Sequence, residues 1–245
     1  MSFTRLQIRY QTARSLPAPY AYFYTLAVNP AGNEVQLDLA ITYPDRDDID
    51  DDELIAEGFT RDDDFSWSGR LPAVWHEAFA AVAGKTRLQP IDEENLKEDD
   101  DFWEITLVSK GVDQTGKPGN ADDWQYLIQE LIQATYEADK RERPFELTYL
   151  DIDSRRPGRA ITLTASFANR SVAVRDERNT DGARMLPWST LQRVMSTVYS
   201  VDFDPETTLD RRPKTTGQWL NLGTEEWYDI SKEPKLSRTL NELIN

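Results

Sequence analysis

The chain has no cysteine in its 245 residues, which excludes disulfides, thiolate catalysis and cysteine-based zinc or iron–sulfur sites. It has one histidine, His76, so a Ser-His-Asp or Cys-His machine would rest on that residue alone. His76 lies off the apolar stripe of a predicted helix, and a surface histidine is expected. No Gly-x-Ser-x-Gly nucleophile elbow occurs. The longest apolar run, Ala78 to Ala83, is far below the roughly 20 residues of a membrane helix, and no run reaches signal-peptide length. These absences predict a cytoplasmic protein that does not enter a membrane, and they give no sign of a cofactor.

Basic residues are also scarce, with 28 Lys and Arg against 44 Asp and Glu. The imbalance is local. From Ala31 to Glu130 there are 8 basic and 26 acidic residues, whereas Lys140 to Thr215 carries 14 basic and 11 acidic. General affinity for nucleic-acid phosphates depends on Lys and Arg releasing counterions, so it is not expected of this chain. What is present in quantity is aromatic surface, seven Trp, ten Tyr and nine Phe, enough for a sizeable core and contrary to global disorder.

Strand patterns are plain. Leu6, Ile8 and Tyr10 alternate with Arg5, Gln7, Arg9 and Gln11, the period of a half-buried strand. Tyr20 to Val28 reads as a second strand, followed by turn residues 29–33 and by Val35, Leu37, Leu39, Ile41 alternating with polar neighbours, which predicts a hairpin. Trp103, Ile105 and Leu107 repeat the alternation, and 145–152, 160–167 and 171–174 read as further strands. Helices are predicted with Pro72 in the first turn, from Ala121 to Lys140, beginning at Pro187, and over 236–244. The expected fold is α+β, mainly antiparallel sheet with helices packed on one face in two layers. The reading is one compact unit over 1–245, with a faint likeness between halves 1–141 and 142–245 carried by Leu71-Pro72 and Leu186-Pro187.

Candidate sites follow from charge. Clustered carboxylates hold hard cations, which makes Asp62, Asp63 and Asp64 weak metal candidates. The run beginning at Asp45 fails the EF-hand template, since its sixth residue is Asp50 and not glycine. Like charges in a row favour exposed loops, so Asp47, Asp48, Asp50, Asp51 and Asp52 are read instead as a surface for a partner. Arg155, Arg156 and Arg159 form a candidate anion site, set against simple pairing with the protein's own carboxylates. Arg211, Arg212 and Lys214 are a second basic group. Residues Gly111 to Lys117 spell G-x-x-x-x-G-K, but Pro118 stands where a phosphate loop needs Ser or Thr, so a flexible loop is expected there. Tyr20, Tyr22 and Tyr24 make a row suited either to a partner or to a second packed layer.

The leading functional reading is a non-enzymatic acidic cytoplasmic protein that binds another protein. The alternative is a divalent-metal-dependent hydrolase or transferase using the clustered carboxylates. A mimic of DNA charge would need its carboxylates on a rigid surface, whereas these are expected in loops. Oligomeric state is not expressed in the sequence.

Overall fold

The computed structural model describes residues 3–179, 182–204 and 208–243, save for the side chains of Arg156 and Pro157. The chain divides into two compact units, Met1–Thr135 and Tyr136–Asn245. Its class is α+β, with two antiparallel sheets and five α-helices among the described residues. No helix among the described residues is long and apolar enough to cross a membrane.

In the first unit the strands are β1 (Arg5–Gln11), β2 (Phe23–Ala31), β3 (Glu34–Thr42), β4 (Phe65–Pro72), β5 (Leu88–Gln89), β6 (Phe102–Ser109) and β7 (Val112–Pro118). They form one sheet in the order β4-β3-β2-β1-β6-β7-β5. The helices are α1 (Asp51–Ala56), α2 (Val74–Ala83) and α3 (Ala121–Ala138), the last reaching past the unit boundary. Strand alternation is obeyed: Leu6, Ile8, Val35, Leu37, Leu39, Ile105 and Leu107 are buried, while Arg5, Gln7, Arg9, Glu34 and Asp38 on the opposite face are exposed. α2 packs on β3 and β4. Trp75, Phe79 and Trp124 are wholly buried, and the Trp124 indole N–H donates to the Thr86 hydroxyl at 2.9 Å.

Several local expectations are corrected. Pro72 closes β4 and does not open a helix, since α2 starts two residues later. The glycine-rich segment 111–119 is mostly a strand, β7. Lys110 and Gly111 both take positive φ, 53° and 77°, and Ser109 pairs with Val112 across them, which is the geometry of a tight hairpin turn. Most of β7 is exposed, so it lacked the apolar alternation that marks a buried strand. His76 is half-buried: its ring packs 4.9 Å from Phe3, and its Nε2 is hidden from solvent without a hydrogen-bond partner. The tyrosine row also divides, for Tyr24 is buried, Tyr22 accepts from Gln125 of α3 at 3.3 Å and Tyr20 is 42% exposed before β2 begins.

The second unit contains β8 (Phe145–Asp153), β9 (Arg156–Ser166), β10 (Ser171–Asp176), β11 (Arg184–Leu186), α4 (Trp188–Val198), β12 (Gly217–Asn221), β13 (Trp227–Asp229) and α5 (Pro234–Glu242). The sheet order is β11-β10-β9-β8-β12-β13. Leu147, Tyr149, Leu163 and Val172 are buried on one face. On the other, Leu150, Ala160, Trp219 and Trp227 form an apolar cluster with Ile152, so this sheet buries side chains on both faces.

The two units share a topology. Each is a four-stranded meander, a helix, a hairpin whose first strand returns to pair with the opening strand, and a closing helix. Apart from the two-residue edge β5, strand order 4-3-2-1-6-7 in the first unit matches 11-10-9-8-12-13 in the second. The Leu-Pro pairs at 71–72 and 186–187 fall at the same strand-to-helix junction in each.

Leu131 of α3 is fully buried. Leu131→Ala is therefore expected to cost about 2–5 kcal/mol, read as a lowered denaturation midpoint. An unchanged midpoint would remove α3 from the core.

Candidate functional site

The register of the first sheet decides where the acidic segments meet. Gln11 pairs with Phe23 and Phe102, Phe23 with Thr42, and Ile41 with Phe65. Connections 12–22, 43–64 and 90–101 therefore all emerge at one end of the sheet. Segment 43–64 holds eleven acidic and two basic residues, 90–101 holds seven and one, and 12–22 contributes one arginine. Together they carry fourteen of the chain's sixteen net negative charges.

Arg46 organises this end. Its side chain is 3% exposed. Its Nη2 donates to the Pro19 carbonyl at 2.9 Å and its Nη1 to the Thr60 carbonyl at 2.9 Å, with Asp63 closing the set. The guanidinium lies 3.9 Å from the Tyr43 ring centre and 4.7 Å from that of Phe59, distances at which a cation is attracted to an aromatic face. One charge thus ties connection 12–22 to both ends of 43–64. Arg61 does similar work nearer the surface, donating to the carbonyls of Asp47 at 2.8 Å and Ile49 at 2.6 Å and to the Asp51 carboxylate.

Between these anchors the acidic run is not a slack loop. Arg46–Asp48 forms a 3-10 turn and 51–56 is α1, whose N-cap Asp50 accepts from the Asp52 N–H at 3.3 Å. Leu54 is fully buried and pins the helix. Asp47, Asp48, Asp50, Asp51 and Asp52 are all exposed. Segment 90–101 is tied in from the other side. Arg14 donates to the Leu96 carbonyl at 2.7 Å, the Ser15 N–H to that of Glu98 at 3.0 Å, and Asp101 accepts from the Ala13 N–H and the Tyr10 hydroxyl, each at 2.8 Å. Burial and the neighbouring Tyr22 and Asp101 hold the Tyr10 phenol well above its ordinary pKa.

The metal candidates are assigned separate tasks. Asp63 accepts from Arg46 and from the Thr60 N–H and hydroxyl, Asp64 accepts from the Tyr43 N–H at 2.8 Å, and Asp62 is exposed. Among the described residues no three Asp, Glu or His side chains are grouped as a metal would require.

The candidate anion site is likewise spread out. Arg155 turns back on Asp153, its Nε 3.4 Å from Oδ1, and Arg159 donates to Asp176 at 2.8 Å. The side chain of Arg156 lies outside the described residues. Arg212 makes a two-pronged pair with Glu177 at 2.8 and 2.7 Å.

Sequence reading missed a second property of the acidic end. Leu16, Tyr20, Phe23 and Ile55 are among the large apolar side chains left exposed, Ile55 at 66%. All lie in or directly beside the three connections at that end. Against known proteins, neither a family description, nor a curated protein, nor a solved structure matches this chain.

Burial works to raise the pKa of Asp63, but hydrogen bonds from Thr60 and the Arg46 guanidinium outweigh it and leave the carboxyl below the ordinary aspartate value. A depressed carboxylate lends stability that is fully present above its unfolded pKa, about 3.9, and is lost as pH falls through the folded value. The stability gap between wild type and Asp63→Asn is therefore expected to be constant near neutrality and to close below about pH 4. Thermal melts across that range check it. Arg46→Ala should cost about 3–5 kcal/mol at neutral pH, as loss of one partner of a buried pair does.

Proposed function

We propose that the protein acts by binding another protein, one with a basic patch, through the acidic end of the first sheet, and that it carries out no catalysis of its own. The observation that carries this reading is the gathering of fourteen net negative charges on three connections held together by Arg46, Arg14 and Asp101. A concentrated field of one sign speeds encounter with the opposite sign, and salt weakens it. Ile55, Leu16 and Tyr20, exposed among the carboxylates, supply the apolar contacts that charge alone lacks, since binding energy concentrates in a few desolvated side chains.

The same reading takes the first unit as two layers, with helices covering one face of its sheet. The strict alternation of buried and exposed residues in β1 and β3 and the packing of α2 on β3 and β4 support it for the first unit. It takes the two halves as copies of one ancestral unit, on the strength of their common strand order. Two of the three connections at the acidic end are then additions to one copy. The β1–β2 link spans 12–22 where the second unit has 154–155, and β3–β4 spans 43–64 where it has 177–183.

The test is chemical cross-linking of the tagged protein in lysate at low and at moderate salt, with cross-linked peptides identified. A discrete basic protein joined to residues 12–22, 43–64 or 90–101 is expected. It should be lost when Asp47, Asp48, Asp50, Asp51 and Asp52 become Asn, and weakened by Ile55→Asp. Recovery of the same partners by the Asn variant would remove the acidic end from the interaction.

A further inference from the structure

The sheet edges of this protein are not equally guarded. β5, β11 and β13 are two or three residues long, which is a common way to deny an edge to another strand. β4 is eight residues long and continuously paired with β3 from Glu34–Pro72 to Ile41–Phe65, with no bulge. β3 on one side and α2 on one face are the elements that pack closely against it.

The direction of its free backbone groups can be read from the register. Ala31 and Glu34 close a two-residue turn, so the N–H and C=O groups of the even-numbered residues of β3 point to β2. Those of Val35, Leu37, Leu39 and Ile41 therefore face β4 and engage Leu71, Gly69, Trp67 and Phe65. The Ala73 N–H donating to the Asn33 carbonyl at 3.1 Å continues the same series. The N–H and C=O groups of Ser66, Ser68 and Arg70 point away from the sheet. The side chains of these three residues are exposed.

We infer that β4 pairs antiparallel with β4 of a second copy of this chain, centred on Ser68. Four features favour that occupant. The centre of the strand is uncharged and free of proline, so nothing there repels an identical strand. Antiparallel self-pairing closes with two-fold symmetry and sets Ser66 opposite Arg70 of the second copy. Arg70, the one charge on β4, pairs loosely with Glu34 of its own chain at 3.4 Å and is then also diagonal to Asp64 of the second copy, within reach of a long side chain. On the other face Trp67 lies over Gly69 so closely that a β-carbon there would meet its ring at 2.4 Å. The pairing brings each half-buried Trp67 beside the other and covers both. Finally, it sends the two acidic ends to opposite extremes of the joined sheet, whereas parallel pairing would set them side by side.

The test is sedimentation velocity of the full chain from low micromolar to hundreds of micromolar, at moderate salt so that the like charge of the two copies is screened, with the melting midpoint measured alongside. Wild type is expected to shift with concentration from the mass of one chain to that of two. Ser68→Pro removes an outward N–H that β3 does not use, and proline is tolerated on an edge. It should raise the dimer Kd by about tenfold or more without lowering the melting midpoint. Arg70→Glu, which sets a second acid diagonal to Asp64 of the second copy, should weaken the dimer as well, and it decides the matter should Ser68→Pro melt early. A wild type that stays at the mass of one chain throughout overturns the inference. So does a dimer that both variants form as tightly as wild type.

Discussion

A guanidinium taken out of water must be met by acceptors and aromatic faces on every side, and Arg46 is. Two carbonyls and one carboxylate take its protons while Tyr43 and Phe59 cover its plane. Those partners come from Pro19 on one connection and from both ends of another. The backbone of segment 43–64 is thereby fixed by the need to solvate a single charge. Without that requirement, eleven carboxylates would repel one another into an extended chain. With it, they are mounted on a turn and a short helix whose single buried anchor is Leu54.

The sheet beneath supplies the platform. Antiparallel order brings alternate connections to the same end, and in the first unit the long, charged ones all fall there. The second unit has the same strand order with shorter links at the two matching places. The elements common to both units make a sheet and its helices, and the longer links between β1 and β2 and between β3 and β4 distinguish the first half from the second.

Much of the scaffold was legible in the sequence because burial on one side of a strand leaves a period of two. β1, β3 and β6 announce themselves in that way. β4 and β7 do not: Ser66, Ser68, Gly69 and Arg70 in one, and Asp113, Gln114, Thr115 and Gly116 in the other, lie towards the sheet's margins, where little apolar surface is needed. The acidic end was visible as composition but its order was not. Arg46 carries no mark distinguishing it from any arginine among aspartates, since its burial depends on Pro19, more than twenty residues away in the chain. Its place between Tyr43 and Phe59 is the one local hint. Ile55 was hidden for a similar reason, as an isoleucine on a helix is ordinarily assumed to face the core. The recurrence of Leu-Pro at 71 and 186 did point to the common junction, although the proline ends a strand in one case and caps a helix in the other.

The acidic end is held in shape by its own contacts, those of Arg46 above all. Hydrogen exchange resolved by residue tests this most directly. The amides of Leu54, Phe59 and Thr60 donate to Asp50, Leu54 and Asp63, and each should exchange far more slowly than an unstructured amide. Their protection should be lost in Arg46→Gln while that of Leu6, Ile8 and Leu37 in the sheet survives. Unprotected amides across 50–60 in the native protein, beside a protected sheet, would contradict it.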